Sequence, residues 1–227
     1  MTADDQADRV VVAIDGPAGS GKSSVSRAAA RVLDYEFLDT GAGYRALAWL
    51  ALERSADLED ADAVVALLDD FDYGISTDPD DVRVHVGAAD VTSAIREPRV
   101  SESVSSVARV PAVRAHLNSM FRQLLQADGA PGIVAEGRDI TTVVAPDAAV
   151  RILLTADEKA RLARRSGELE GQSKADVARL VLERDRRDSQ VVDFMTAADG
   201  VTTLDSTHLT YGETIEAVVS LVRAGIA

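Results

Sequence analysis

Short apolar runs recur along the chain and alternate with stretches in which apolar residues return every three or four positions. Residues 10–14 are all apolar, as is typical of a strand buried on both faces. Four more short strands are indicated at residues 36–38, 132–135, 150–154 and 201–204. Because buried strands interleaved with helices form parallel sheets, the pattern predicts an α/β fold, with a five-stranded parallel sheet covered by helices on both faces.

The stretches between these runs carry helical signals. From about Lys22, apolar residues lie at the spacing of one helix face. Pro111 suits the first position of another helix, which the sequence ends before Gly129. Thr210 and Glu213 have the spacing of a capping box and indicate the start of the last helix.

One stretch departs from this rhythm. Between residues 71 and 95, three valines alternate with polar residues after an Asp-Pro-Asp-Asp turn. Such alternation is typical of strands with one exposed face, so it predicts a small antiparallel sheet inserted into the parallel fold. We expect an accessory insert at about residues 68–104.

Composition narrows the class of protein. The chain has 227 residues, with 24 Lys plus Arg against 38 Asp plus Glu and a net charge of -14. This length allows one substantial core, and we expect a single domain at residues 9–227 after a disordered acidic terminus at residues 1–8. With no cysteine, disulfides, thiolate zinc sites and cysteine nucleophiles are excluded.

The acidic balance opposes general binding to nucleic acid. The apolar runs are too short to span a bilayer, and the first residues lack the basic head of a signal peptide. We therefore expect a cytoplasmic protein with no nucleic-acid or membrane partner. We also expect a monomer, although nothing in this sequence pattern bears on the oligomeric state.

Residues 16–23 match the phosphate-binding loop G-x-x-x-x-G-K-[ST] and lie between a predicted strand and a predicted helix. Glycines let successive backbone N–H groups point at phosphate oxygens, and the lysine reaches the β- and γ-phosphates. ATP binding is assigned to nine consecutive residues: Gly16, Pro17, Ala18, Gly19, Ser20, Gly21, Lys22, Ser23 and Ser24. Either Ser23 or Ser24 can orient Mg²⁺.

A triphosphate loop alone leaves ATPases, GTPase switches and kinases open. A GTPase needs an Asn/Thr-Lys-x-Asp guanine reader, but the single asparagine, Asn118, is followed by serine. A kinase with a phosphorylated acceptor instead needs several arginines to offset two clustered polyanions. Of the 24 basic residues, 21 are arginine; a compositional bias explains most of them, but four segments place arginines where such an acceptor site needs them.

Polar residues follow the second and third predicted strands, at the sheet edge where α/β folds bind ligands. Thr40 and Arg45 come after the second strand, and Arg138 and Asp139 come after the third. These four residues are therefore candidates for the acceptor site.

Two further pairs extend this candidate set. Ser105 and Arg114 flank Pro111. Arg184 and Asp188 continue the apolar stripe of a helix that begins after residue 173, and an i, i+4 pair of this kind could also be an ordinary helix salt bridge.

Thr155 and Glu158 have capping-box spacing before a further helix. Three arginines share one face of that helix: Arg161, Arg164 and Arg165. One interpretation is an ordinary charged surface. The alternative is a mobile lid at about residues 157–172, because a glycine-punctuated loop follows; on closure its arginines would stabilise the transferring phosphoryl group and exclude water.

Several strings together resemble the bacterial cytidylate kinases, a family of the nucleoside monophosphate kinase group. They are Ile-Asp-Gly-Pro-Ala-Gly-Ser-Gly-Lys at 14–22, Leu-Asp-Thr-Gly-Ala-Gly-Tyr-Arg at 38–45, Glu-Gly-Arg-Asp at 136–139, Val-Val-Ala-Pro-Asp-Ala at 143–148, Glu-Arg-Asp at 183–185 and Leu-Asp-Ser-Thr at 204–207. The resemblance implies a P-loop kinase core that transfers a phosphoryl group from ATP to CMP. It also implies that dCMP and, less efficiently, UMP are accepted, and that the insert belongs to the monophosphate site.

The resemblance also implies roles for single residues. It assigns the cytosine edge to Ser105, Arg114 and Asp139, and the CMP phosphate to Thr40, Arg45 and Arg138. Arg184 and Asp188 resemble the pair near the ribose hydroxyls. We expect four catalytic side chains: Lys22, Arg138, Arg161 and Arg165.

The metal cofactor implied is Mg²⁺, held by Ser23 or Ser24, with Asp39 as a further ligand through water. The chain departs from the family at Val191, where an arginine is often found, and at Ser23, where glycine is expected. A different small-acceptor kinase, of the shikimate or gluconate type, and a non-transferring nucleotide switch stay open as alternatives.

Overall fold

The computed structural model describes residues 9–168, 179, 182, 183, 185, 186, 188, 189 and 192–226. Its strands are β1 (Val10–Asp15), β2 (Glu36–Asp39), β3 (Tyr73–Ile75), β4 (Val84–Val86), β5 (Ala89–Asp90), β6 (Gly132–Gly137), β7 (Val150–Thr155) and β8 (Thr202–Asp205). Its α-helices are α1 (Lys22–Leu33), α2 (Thr40–Glu53), α3 (Ala61–Ala66), α4 (Pro98–Ala108), α5 (Pro111–Gln126), α6 (Glu158–Glu168) and α7 (Tyr211–Gly225). Residues 140–144 form a short π-helical turn.

The main sheet confirms the predicted fold class. Its five strands are parallel and lie in the order β2-β6-β1-β7-β8. Alternate side chains of β1 serve opposite faces: Val12 and Ile14 pack with α1 and α7, while Ala13 packs with α2 and α5. Helices thus cover both faces, and the carboxyl ends of the strands meet at one edge of the sheet.

Local signals set most helix bounds. Pro111 is the first residue of α5, as predicted, and the capping box of Thr210 and Glu213 opens α7. The predicted capping box before α6 is wrong. The Asp157 carboxylate instead accepts a hydrogen bond from Ala160 N at 2.6 Å, because the chain leaves β7 two residues before the helix begins.

The predicted antiparallel insert is confirmed as the three-stranded sheet β3-β4-β5. Val84 and Val86 are buried against the core around α2. The loop after β3 also touches the edge strand of the main sheet, because Phe37 N donates to the Thr77 carbonyl at 2.8 Å. The bounds of the insert at 68–104, of the lid and of the whole domain stay predictions.

Candidate active site

The phosphate-binding loop joins β1 to α1. Gly19 and Gly21 have left-handed φ angles of 74° and 87°, which side chains rarely adopt. A Cβ on Gly19 would also lie 2.6 Å from the Arg161 carbonyl oxygen, so α6 approaches the loop too closely for any larger residue. No side chain caps α1 at Gly21, and the N–H groups of its first turn therefore favour an anion.

Asp15, at the end of β1, connects the start of the loop to the turn after β6. Its carboxylate accepts hydrogen bonds from Ile140 N at 2.9 Å, Thr141 N at 2.8 Å and Thr141 Oγ1 at 2.6 Å. Burial raises the pKa of Asp15 in spite of these bonds. The contacts fix the turn that follows Asp139 against the start of the loop.

Two buried carboxylates lie beside the loop lysine, at the ends of β2 and β6. Burial and the neighbouring Asp39 raise the pKa of Glu136, and Lys22 partly opposes this rise. Burial alone would raise the pKa of Asp39 as well, but Arg45 and Arg96 hold it below its ordinary value. The pair therefore has an ionised Asp39 beside a Glu136 that retains a proton more readily.

The hydroxyl groups around this pair are ordered. Ser23 Oγ donates to Glu136 Oε1 at 2.6 Å, and Thr40 Oγ1 donates to the Glu136 carbonyl at 2.8 Å. Ser24 Oγ instead donates to the Gly21 carbonyl at 3.0 Å. Of the two serines considered for Mg²⁺, Ser23 is the one that faces the carboxylates.

The predicted acceptor residues pair with one another: arginines of α2 and α5 form ion pairs with carboxylates at the strand ends, and a serine of α4 forms a hydrogen bond. Arg45 Nη2 lies 2.7 Å from Asp39 Oδ2, and Arg114 Nη2 lies 2.5 Å from Asp139 Oδ2. Burial raises the pKa of Asp139, and Arg114 partly offsets the rise. Ser105 Oγ lies 3.4 Å from Asp188 Oδ1.

Arg138 joins this acceptor side to the loop. Its Nη1 donates to the Gly16 carbonyl at 2.9 Å. Its Nη2 lies 3.1 Å from both Asp185 Oδ1 and Asp188 Oδ2. The guanidinium also stacks over the buried Phe194 ring, 4.2 Å from its centroid, an arrangement that favours a cation. The loop carbonyl, the two carboxylates and the aromatic ring therefore fix Arg138 at the edge where the carboxyl ends of the strands meet.

The described part of the predicted lid already contacts the loop. Arg161 is 5% exposed, and its Nη1 donates to the Ala18 carbonyl at 2.8 Å and pairs with Asp185 Oδ2 at 2.5 Å. Arg164 donates to the Ser20 carbonyl at 3.1 Å and to Ser206 Oγ at 3.0 Å. These contacts contradict an ordinary charged surface for Arg161. Arg165 is half-buried on the same helix.

The structure thus brings most of the candidate residues to one edge of the sheet, around the loop. Arg184 and Val191 lie outside the described residues. So does the start of the helix predicted after residue 173. Sequence reasoning missed three contributors: Glu136, Asp185 and Phe194. Of these three, Asp185 could have been found from its spacing. It lies three positions before Asp188, and residues at that spacing share a helix face.

Comparison with known proteins gives the family. A sequence model described as cytidylate kinase matches residues 12–224. The chain belongs to the cytidylate kinase family. It is 45% identical over 218 residues to a cytidylate kinase of Cutibacterium acnes, covering 94% of this chain and 96% of that protein. A cytidylate kinase of Streptomyces avermitilis is 42% identical over 215 residues, with coverages of 94% and 93%.

Solved structures of low identity share the fold of this family member. TT1252 from Thermus thermophilus superposes with a TM-score of 0.51 at 18% identity, covering 96% of this chain and 98% of that one. The fold is a P-loop kinase core, and the chain is an ATP-dependent phosphotransferase of the nucleoside monophosphate kinase class. Within the part of the chain that the structure describes, no helix is long and apolar enough to cross a membrane.

Proposed function

We propose that the loop at residues 16–24 binds ATP and that the rim formed by α2, α4 and α5 binds CMP. Phosphorylation of CMP follows from membership of the cytidylate kinase family. The observation that carries the residue assignment is the position of Arg138. It contacts the loop at Gly16 and the acceptor-side carboxylate of Asp188, so one guanidinium reaches both nucleotide sites.

The pair formed by Arg114 and Asp139 supports cytosine recognition. An arginine donates to the carbonyl oxygen and ring nitrogen of cytosine, while a carboxylate accepts from its exocyclic amine. Both side chains are mostly buried, which makes a missing partner costly. Uracil has a carbonyl in place of the amine, so we expect UMP to be the poorer acceptor. Ser105 completes the base edge in this proposal.

Thr40, Arg45 and Arg138 are proposed to hold the CMP phosphate, and Arg184 with Asp188 the ribose. The pairing of Arg45 with Asp39 keeps the arginine oriented toward the sheet edge. dCMP lacks only the 2′-hydroxyl, so we expect it to be accepted as well.

The attacking oxygen of CMP is already anionic, so transfer needs no general base. Positioning and charge stabilisation supply the catalysis instead. Lys22, Arg138, Arg161 and Arg165 are proposed to stabilise the negative charge of the transferring phosphoryl group. Lys22 belongs to the loop, Arg138 follows β6, and Arg161 and Arg165 lie on α6. Three elements would therefore contribute cations around the phosphoryl group.

Mg²⁺ fits the donor set beside the loop. Ser23 and Glu136 present oxygen atoms, with Asp39 close by, and hard divalent cations prefer such ligands. A cation would also offset the cost of a buried negative charge and the repulsion by Asp39, both of which raise the pKa of Glu136. Ser23 and Glu136 would hold the ion, and Asp39 would act through water. Bound there, the ion would neutralise part of the charge of the ATP phosphates.

The remaining proposals concern the partners, the location and the oligomeric state of the enzyme. A net charge of -14 supports small nucleotides, rather than nucleic acid, as partners. We propose a cytoplasmic monomer, to be checked by sedimentation at assay concentrations.

The test is ADP formation from ATP with CMP, dCMP, UMP, AMP, GMP or shikimate offered separately. We expect CMP to be the best acceptor, dCMP to be close to it and UMP to be poorer. Omitting Mg²⁺ should abolish turnover with each of them. Turnover with CMP no faster than without acceptor would refute the proposal, and preference for shikimate would favour the small-acceptor alternative.

A further inference from the structure

The carboxylate of Asp185 occupies a position between the loop and two arginines. It accepts from Ala18 N at 2.9 Å, lies 3.1 Å from Arg138 Nη2 and pairs with Arg161 Nη1 at 2.5 Å. Asp185 is 7% exposed. A buried anion is therefore surrounded by one backbone N–H group and two guanidinium groups.

These three donors are the kinds of group that bind phosphate. Backbone N–H groups of the loop and converging arginines stabilise transferring phosphoryl groups in kinases. Arg138 and Arg161 are also the residues to which the proposed function gives that task. The contacts of Asp185 are thus those expected of a bound phosphate oxygen.

We propose that Asp185 substitutes for the transferring phosphoryl group in the empty enzyme and releases its donors when ATP binds. The inference rests on the proposed function, because it requires the loop to bind the ATP phosphates. Asp185 is a positioning residue: it holds Arg138 and Arg161 converged on Ala18. Since two anions cannot share the same donors, it also lowers the affinity of the loop for polyphosphate.

Asp188 gives Arg138 a second anionic partner. It lies 3.1 Å from the same nitrogen and three positions further along the chain. When Asp185 releases Arg138, Asp188 can still hold the guanidinium. Arg161 has no such substitute among the ion pairs of the described residues, but it keeps its bond to the Ala18 carbonyl.

The experiment measures binding of inorganic tripolyphosphate by calorimetry, so that neither base nor ribose contributes. Asp185→Asn removes the charge at constant shape. Asp185→Ala removes the side chain and places the best helix former in a helix. Asp185→Glu keeps the anion. Asp69→Asn, at an exposed position of the 3₁₀ turn after α3, controls for the overall change of charge, and Lys22→Met controls for binding at the loop.

The Asn and Ala variants should bind tripolyphosphate about tenfold more tightly than the wild type, within the usual range of coupling between two ligands. Without ligand they should melt at a lower temperature, because buried arginines lose a partner. Tripolyphosphate should raise their melting temperatures by more than it raises that of the wild type. The Glu and Asp69→Asn variants should bind like the wild type.

Equal or weaker binding by both the Asn and Ala variants would overturn the inference while leaving the loop assignment intact, provided that the wild type binds and Lys22→Met does not. A role limited to folding predicts that stability and affinity fall together. If no variant and no wild-type protein binds tripolyphosphate, the loop assignment and the inference both fail.

Discussion

The two halves of the site are built from different material. On the proposed ATP side, arginines donate to backbone carbonyls of the loop: Arg138 to Gly16, Arg161 to Ala18 and Arg164 to Ser20. On the proposed CMP side, arginines pair with side-chain carboxylates, as Arg114 does with Asp139. The donor half is therefore a backbone cradle with side-chain supports, and the acceptor half is a set of paired charges.

This difference explains the selectivity that we expect of each half: one for phosphate and the other for a particular base. A cradle of N–H groups recognises phosphate, which every nucleoside triphosphate carries. A buried pair of charges recognises a particular arrangement of donors and acceptors, and it leaves a charge unpaired when the wrong base enters. Substitutions on the donor side should therefore affect all acceptors equally, whereas substitutions on the acceptor side should change the preference among them.

The largest effect is expected on the donor side. Lys22→Met should lower kcat/KM about 100- to 1000-fold, the usual loss for one group that stabilises transition-state charge. The loss should be the same for CMP and UMP. Lys159→Met, which removes an exposed lysine of α6, is the matched control. A loss smaller than tenfold, or one that depends on the acceptor, would break the comparison.

On the acceptor side, Asp139→Asn should lower kcat/KM for CMP about 10- to 100-fold, since a hydrogen bond to a buried charge contributes roughly 1.5 to 3 kcal/mol. The change for UMP should be less than about threefold. Steady-state rates with both acceptors measure the ratio, and Asp147→Asn at an exposed position is the control. Equal losses for CMP and UMP would remove Asp139 from base recognition.

The pH dependence of CMP binding gives a smaller effect. In the proposed role, Asp139 accepts a hydrogen bond from the cytosine amine most strongly when it is ionised. Burial raises its pKa above the ordinary value, with partial compensation by Arg114. As the pH falls through this raised pKa, the carboxylate gains a proton and KM for CMP should rise. UMP and the Asp139→Asn variant provide the references. A CMP profile parallel to both would contradict the assignment.

Sequence reasoning succeeded where the signal is local. The loop, the strand ends after apolar runs and the capping box of α7 each depend on residues a few positions apart. Thr40 and Arg138 were placed at the sheet edge for the same reason, because parallel strands bring their carboxyl ends together. One local signal failed. Thr155 was predicted to cap α6, but Asp157 does so. Both residue types suit the N-cap position, so the pattern did not distinguish them.

Contacts between distant residues could not be predicted in this way. Ala18 and Asp185 are 167 positions apart, and Ser23 and Glu136 are 113 apart. No periodicity links such pairs. Their meeting depends on the tertiary structure: the order of the strands places β6 beside β1, and Asp185 contacts the loop at Ala18. The sequence therefore indicated which residue types gather at the edge, but not which carboxylate faces the loop.

The smallest effect should come from an exposed ion pair of the same chemistry. Arg31 Nε lies 2.7 Å from Asp80 Oδ1, with 42% and 77% of the side chains exposed. Arg31→Gln should lower the free energy of unfolding by less than about 0.5 kcal/mol, because water and salt screen such pairs. Arg31 Nη2 also donates to the Pro79 carbonyl at 2.7 Å, but Arg27 would still bind that carbonyl and hold the insert. Urea unfolding measures the change, and KM for CMP should stay within about twofold. A loss above about 1 kcal/mol would mean that burial does not separate the contribution of this pair from that of Arg114 and Asp139.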